Sequence, residues 1–258
     1  MAELKIAVRL DAIRMPIKCA LEQAARLGAS AVELDARNGV RPTDLSDTGL
    51  RQFRKMLSDL NLRVASLRFQ TRRGYDVEQD LEQRVDATKS AMRFAYDLGC
   101  PVVVNQIGSI PDSDEDPRWA PFQAVIQDIG RYGAKIGAFF AAETGTEPGE
   151  KLASFLGDED DAFIAVALNP GQLIVNRHSV PDTVSALKRR IQIVNAVDGV
   201  LDLAAGRGIN VPLGQGTADF PQLLGLLEDI QYRGHFVVGR ADSSLEELQL
   251  GVEYLRNM

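Results

Sequence analysis

Glu143 closes an apolar run, Phe139-Phe140-Ala141-Ala142-Glu143. A carboxylate in such a setting is costly to bury without a partner or a task. Three roles suit it: general base, metal ligand, or ion-pair partner of Arg240. Arginines stand after other apolar runs in the same way: Arg9, Arg37, Arg68, Arg72, Arg73, Arg207 and Arg240. A guanidinium fork matches a carboxylate or a phosphate. The set therefore points to an anionic or polyhydroxylated ligand, unless pairing with Asp11, Asp35 or Glu143 engages it. The amides Asn105, Gln106, Asn169, Gln172 and Asn195 suit the hydroxyls of a sugar or polyol, and they also satisfy one another. They do not titrate, so they make poor acids and bases. Asp198 is the candidate second acid/base beside Glu143, and Arg207 or Arg240 the candidate stabiliser of a developing oxyanion.

These residues need a frame, and the pattern of the chain supplies one. Short apolar runs at Leu4–Leu10, Ala31–Leu34, Arg63–Leu67, Pro101–Asn105, Gly137–Ala142, Phe163–Leu168, Arg190–Val194 and His235–Val238 read as strands covered on both faces. Helical periodicity fills the intervals: Ile17–Leu27, Thr48–Leu60 with Asp47 as cap, Val77–Leu98, Ala120–Ile136, Pro148–Leu156, Val180–Lys188, Phe220–Leu227 and Leu245–Arg256. Strict alternation implies a parallel sheet. The expected fold is α/β, a (β/α)8 TIM barrel, one domain over residues 1–258. Each unit receives roughly 32 residues, about what a barrel without large insertions requires, and no spare segment is expected. The glycines of Gly206-Arg207-Gly208 and Gly214-Gln215-Gly216 read as turns, since neither follows a first strand as a dinucleotide-binding loop would. Active sites of such barrels lie at the C-terminal ends of the strands, where all the residues named above fall.

Composition narrows the function classes. With 45% hydrophobic and 25% charged residues the chain has enough apolar surface for a large core. A net charge of -7 disfavours nucleic acid as a partner. No apolar run approaches the roughly 18 residues needed to span a bilayer, so no membrane is expected either. Met1-Ala2-Glu3-Leu4-Lys5 lacks the features of a secretory signal, and a cytoplasmic location is the expectation. Cys19 and Cys100, both in apolar contexts, are expected to be buried core residues. His178 and His235 are the only histidines. The first falls in a loop after the sixth strand and reads as a surface residue; the second begins the eighth strand, away from the active face, and reads as structural.

At the strand ends the sequence resembles the sugar phosphate isomerase/epimerase family with a xylose-isomerase-like TIM barrel. The segments that carry the resemblance are Val103-Val104-Asn105-Gln106-Ile107-Gly108, Ala142-Glu143-Thr144-Gly145, Asn169-Pro170-Gly171-Gln172-Leu173, and Pro212-Leu213-Gly214-Gln215-Gly216 with Asp219-Phe220. The resemblance implies a divalent metal held by a Glu, an Asp, a His and a Glu at the ends of strands five to eight, and aldose–ketose isomerisation or epimerisation by the two Glu side chains. Position by position, Glu143 matches the first Glu, Asn169 stands for the Asp, Asn195 falls in the segment that carries the His, and Gly239 stands for the last Glu, with Arg240 matching after it. Gln172 stands where a substrate-contacting His is often found. Hard divalent cations want charged oxygen ligands, so no metal cofactor is expected. The expected partner is a small carbohydrate or anionic polyol, with homo-oligomerisation left open. Two readings follow. One is a sugar, sugar-acid or sugar-phosphate binding protein that has lost metal-assisted proton transfer. The alternative is an active metal-independent isomerase, epimerase or lyase with Glu143 as base. A third, a remodelled metal site built on Glu143, Asp198 and water, has less behind it.

Overall fold

Eight short apolar runs separated by helices can leave no free edge only by closing on themselves. In the computed structural model, which describes residues 4–157, 161–202 and 207–258, they do. β1 (Ile6–Arg9), β2 (Ala31–Asp35), β3 (Arg63–Arg68), β4 (Val102–Asn105), β5 (Phe139–Glu143), β6 (Ala165–Leu168), β7 (Ile191–Ala196) and a last strand, His235–Val238, form a closed parallel barrel in sequence order. All eight runs predicted from the sequence are strands, and the single-domain (β/α)8 barrel is the fold.

Two elements lie outside the expected plan. A short helix, Pro170–Val175, follows β6. An antiparallel hairpin, β8 (Asp198–Asp202) paired with β9 (Arg207–Val211), is inserted after β7, so the last barrel strand is β10. The chain does carry a spare segment. Hairpin and short helix pack so closely that a Cβ on Gly199 would stand 2.6 Å from the carbonyl oxygen of Gly171. Gly208 belongs to β9 rather than to a turn, and Gly206 lies outside the described residues.

The flanking helices are α1 (Ile17–Arg26), α2 (Asp47–Asp59), α3 (Leu81–Leu98), α4 (Trp119–Ile136), α5 (Gly149–Leu156), α6 (the short Pro170–Val175), α7 (Val180–Leu187), α8 (Phe220–Asp229) and α9 (Leu245–Arg256). Their starts follow capping chemistry: Ser46, Ser179, Asp219 and Ser244 each accept a backbone N–H from the first turn. The cap of α2 is thus Ser46 and not Asp47. Helix α1 buries Ala20, Leu21 and Ala24 and turns Cys19 to the outside. The expectation of a buried Cys19 fails on this 3.6-residue phase; Cys100 is buried as expected.

Inside the barrel, small and β-branched side chains form the floor: Ala7, Ala31, Ala65, Val104, Ala141, Ala165, Ala167, Ile193 and Val237 among them. Strand side chains alternate between faces. Two residues on from Ala7, Ala31, Ala141, Ala167, Ile193 and Val237 come Arg9, Glu33, Glu143, Asn169, Asn195 and Gly239. The fold thereby stacks a polar layer on an apolar one at the C-terminal mouth.

Candidate active site

A bulge decides the centre of this layer. The register between β2 and β3 shifts after Val32, so that Glu33 pairs with Ser66 and Asp35 with Arg68. Ser66 and Arg68 thus share a face with Glu33. Ser66 Oγ donates to Glu33 Oε2 at 2.7 Å, and Arg68 Nε donates to Glu33 Oε1 at 2.8 Å. The other edge of the same guanidinium reaches across the mouth to Glu143, Nη1 to Oε2 at 2.9 Å and Nη2 to Oε1 at 3.3 Å. Glu143 also accepts from Gln70 Nε2 at 2.9 Å, Asn169 Nδ2 at 3.0 Å and Asn195 Nδ2 at 2.7 Å. Five N–H groups therefore converge on one carboxylate.

The electrostatics follow. Burial alone would push the Glu143 carboxyl up, but the Arg68 charge and hydrogen bonds, with Asn169 and Arg9, outweigh it and hold the carboxyl below its usual range. Burial likewise opposes the charge on Arg68, and Glu143 and Glu33 more than restore it. The partner of Glu143 is Arg68, not Arg240. Arg240 lies at the rim, where Nε donates to Asp242 at 3.2 Å and its backbone N–H to Ser243 Oγ at 3.0 Å.

The other sequence-chosen residues divide. Arg9 borders the centre and is held by Asp11 through two 2.8 Å bonds. Asn169 both bonds Glu143 and caps α6, its Oδ1 accepting from Gln172 N at 3.1 Å. Gln172 sits half-buried at the rim. Asn195 is buried, and its Oδ1 accepts no hydrogen bond. Asn105 is not at the mouth: opposite in phase to Val104, it points outward and bonds Thr71 and the Tyr75 hydroxyl. Gln106 donates to the Thr71 carbonyl at 2.9 Å. Asp198 is also elsewhere, its carboxylate accepting the backbone N–H groups of Gly199, Gly216 and Ala218. The bonds from Gly216 and Ala218 tie the hairpin to the following loop. Arg207 opens β9, but its side chain is outside the described residues. Ala196, Gly239 and Arg240 line a small cleft under the loop after β9. His178 lies half-buried outside the mouth, beside a separate cleft between α6, α7 and α8; His235 begins β10 at the far end.

Sequence reasoning passed over Glu33 and Gln70 and named Arg68 only as one arginine among several. The signal for Glu33 was present: a carboxylate inside Ala31-Val32-Glu33-Leu34 is as unusual as Glu143 in its own strand.

The residues at the mouth do not fit a divalent cation. Of the four positions that the resemblance assigns to ligands, only Glu143 is charged, and its oxygens face a guanidinium and amide N–H groups. Gly239 adopts φ +116°, and a Cβ there would stand 2.5 Å from Leu248 Cδ2. Among the described residues no group of three or more His, Cys, Asp or Glu is arranged to hold a metal.

A family model described as xylose isomerase-like TIM barrel matches residues 21–258. The chain belongs to the xylose isomerase-like TIM barrel family. Solved structures share the fold at low identity. A xylose isomerase domain protein from Planctomyces limnophilus superposes with a TM-score of 0.84 at 19% identity, covering 99% of this chain and 97% of its own. A sugar phosphate isomerase/epimerase from Parabacteroides distasonis gives 0.72 at 15%, covering 99% and 94%. A xylose isomerase-like TIM barrel protein from Mycobacterium smegmatis, in complex with magnesium, gives 0.72 at 17%, covering 99% and 96%. No curated protein matches the sequence. Among the described residues no helix is long and apolar enough to cross a membrane.

Proposed function

We propose that this xylose isomerase-like barrel binds a small carbohydrate at its mouth and does not carry out metal-assisted proton transfer there. The observation behind this reading is the state of Glu143. A general base needs a free lone pair and a pKa near the working pH. Glu143 has its oxygens engaged by five donors and its acidity strengthened by Arg68. Nor does Asp198 offer itself as a second acid/base, since three backbone N–H groups hold its carboxylate.

Among a sugar, a sugar acid and a sugar phosphate, the paired state of three of the candidate arginines favours the neutral sugar. Arg9 is engaged by Asp11, Arg68 by two glutamates, and Arg240 by Asp242. Beside these pairs stand Gln172 at the rim and the cleft beside Gly239 and Arg240. The reading includes no divalent metal and a cytoplasmic setting.

The test is deuterium exchange. The protein is incubated in D₂O with a panel of ketoses and aldoses, and the C–H next to each carbonyl is followed by NMR, with ligand-observed NMR for binding. Binding without exchange is expected. Exchange at a catalytic rate that Glu143→Gln abolishes would overturn this reading and establish a metal-independent isomerase or epimerase.

A further inference from the structure

We propose that Arg68 is a cation built into the chain, which bridges Glu33 and Glu143 where a divalent metal could otherwise sit and closes the mouth to one. This deepens the reading of the mouth as a metal-free site and rests on it, adding the buried Glu33 and the bulge in β3.

The Glu33 and Glu143 side chains are only 2% and 14% exposed. Anions so placed need a cation and full hydrogen bonding, or their burial is prohibitive. A divalent ion would supply the charge and would engage the carboxylate oxygens by coordination in place of hydrogen bonds. Here the demands are met by a planar group that divides its donors between the two carboxylates, Nε to Glu33 and both Nη to Glu143. Lysine offers only a point charge, so the two-sided grip is particular to guanidinium. The barrel is built to deliver it. The bulge in β3 turns Arg68 inward, and Ser66 fixes the second oxygen of Glu33. Around the far side, Asn169, Asn195 and Gln70 turn N–H donors, not oxygens, toward Glu143. That orientation suits an anion already paired and opposes a second cation.

The arrangement has a consequence that a merely structural ion pair would not share. Removing the guanidinium leaves two carboxylates on either side of the space it filled. These are the hard oxygen donors that Mn²⁺ or Mg²⁺ prefer. A neutral side chain at position 68 should therefore convert the mouth into a divalent-cation site.

The experiment measures Mn²⁺ occupancy by the EPR signal of free Mn²⁺, together with the unfolding temperature with and without Mn²⁺. Wild type and Arg68→Lys are expected to show no saturable binding at the mouth. Arg68→Met should gain a site at least about tenfold tighter than any in wild type, with a Mn²⁺-dependent rise in Tm. Arg68→Met/Glu143→Gln should lose both. If Arg68→Met is recovered unfolded, it is refolded with and without Mn²⁺, and native circular dichroism is expected only with the ion. The proposal is overturned if wild type binds Mn²⁺ in a way that Glu143→Gln abolishes. It is equally overturned if folded Arg68→Met takes up no Mn²⁺, or if unfolded Arg68→Met regains no structure with it. Carbohydrate binding is read separately, so either reading can fail without the other.

Discussion

Asn195 donates its Nδ2 to Glu143 Oε1 at 2.7 Å while its own Oδ1, in a residue 3% exposed, accepts no hydrogen bond. The two facts have one cause. A carbonyl oxygen turned to Glu143 would face a carboxylate, so the amide can stand only one way round. The acceptor left over is enclosed in the protein, away from Glu143.

Asn195→Asp replaces that donor with a second anion. At pH 7.5 the variant should lose about 1–3 kcal/mol in urea denaturation, from the lost bond and the like charge. The deficit should shrink as the pH is lowered, when the carboxyl pair can share a proton. Asn195→Asp/Glu143→Gln should recover most of it at pH 7.5. A deficit that is independent of pH would mean that Asn195 and Glu143 are not electrostatically coupled.

The depressed acidity of Glu143 gives a second prediction, with a definite sign. Its folded pKa lies below that of the unfolded chain, where a glutamate titrates at about 4.3. The group's contribution to stability is therefore present above about pH 4.3 and is lost as the pH falls through the lower, folded value. Glu143→Gln should be less stable than wild type at neutral pH, and the two unfolding curves should approach each other in acid. Curves that remain parallel from pH 7 to pH 3 would contradict the ion pair with Arg68.

Much of the barrel was legible because strands buried on both faces leave nearly continuous apolar runs, and all eight were found on that signal. The hairpin β8–β9 was missed for the opposite reason. It packs on one short helix, and Asp198-Gly199-Val200-Leu201-Asp202 is brief and interrupted by glycine. At the site, Glu143, Asn169 and Asn195 were correctly brought together because strand ends and strand phase place them. Asn105 was not excluded, although its phase against Val104 was readable in the sequence. The role of Arg68 was not readable, since it depends on a bulge that shifts the phase of β3 by one residue. Anion binding by the arginines was a fair inference from counting them. It weakened for Arg9, Arg68 and Arg240, which Asp11, Glu33 and Asp242 contact.

Gly239 yields a prediction about restoring a ligand. A glutamate there would supply the carboxylate that the family resemblance assigns to the last strand. The backbone resists it: φ is +116°, and a Cβ would meet Leu248 Cδ2 at 2.5 Å and Arg9 Cβ at 3.3 Å. Gly239→Glu should therefore destabilise by more than about 1 kcal/mol, from the strained conformation and the overpacking together. It should gain no Mn²⁺ affinity while Arg68 is present. Gly239→Glu/Leu248→Ala should relieve the clash but not the backbone strain, and so recover only part of the loss against Leu248→Ala alone. Thermal unfolding of the four proteins checks this, and a Gly239→Glu protein as stable as wild type would show that the glycine is not required.

His235 gives the last prediction, far from the mouth. Burial first, then the charges of Lys5 and Arg63, lower its pKa. The folded protein thus holds a proton there less readily than the unfolded chain, where histidine titrates at about 6.5. Stability from this group is complete above about pH 6.5 and declines as the pH falls toward the folded pKa, because only the unfolded chain gains the proton. The Tm of wild type should fall between pH 7.5 and pH 5.5, and that of His235→Gln should fall less. The difference should be larger at low salt, since two of the three causes are charges that salt screens. If His235→Gln follows wild type across this range, the histidine is not the group that titrates there.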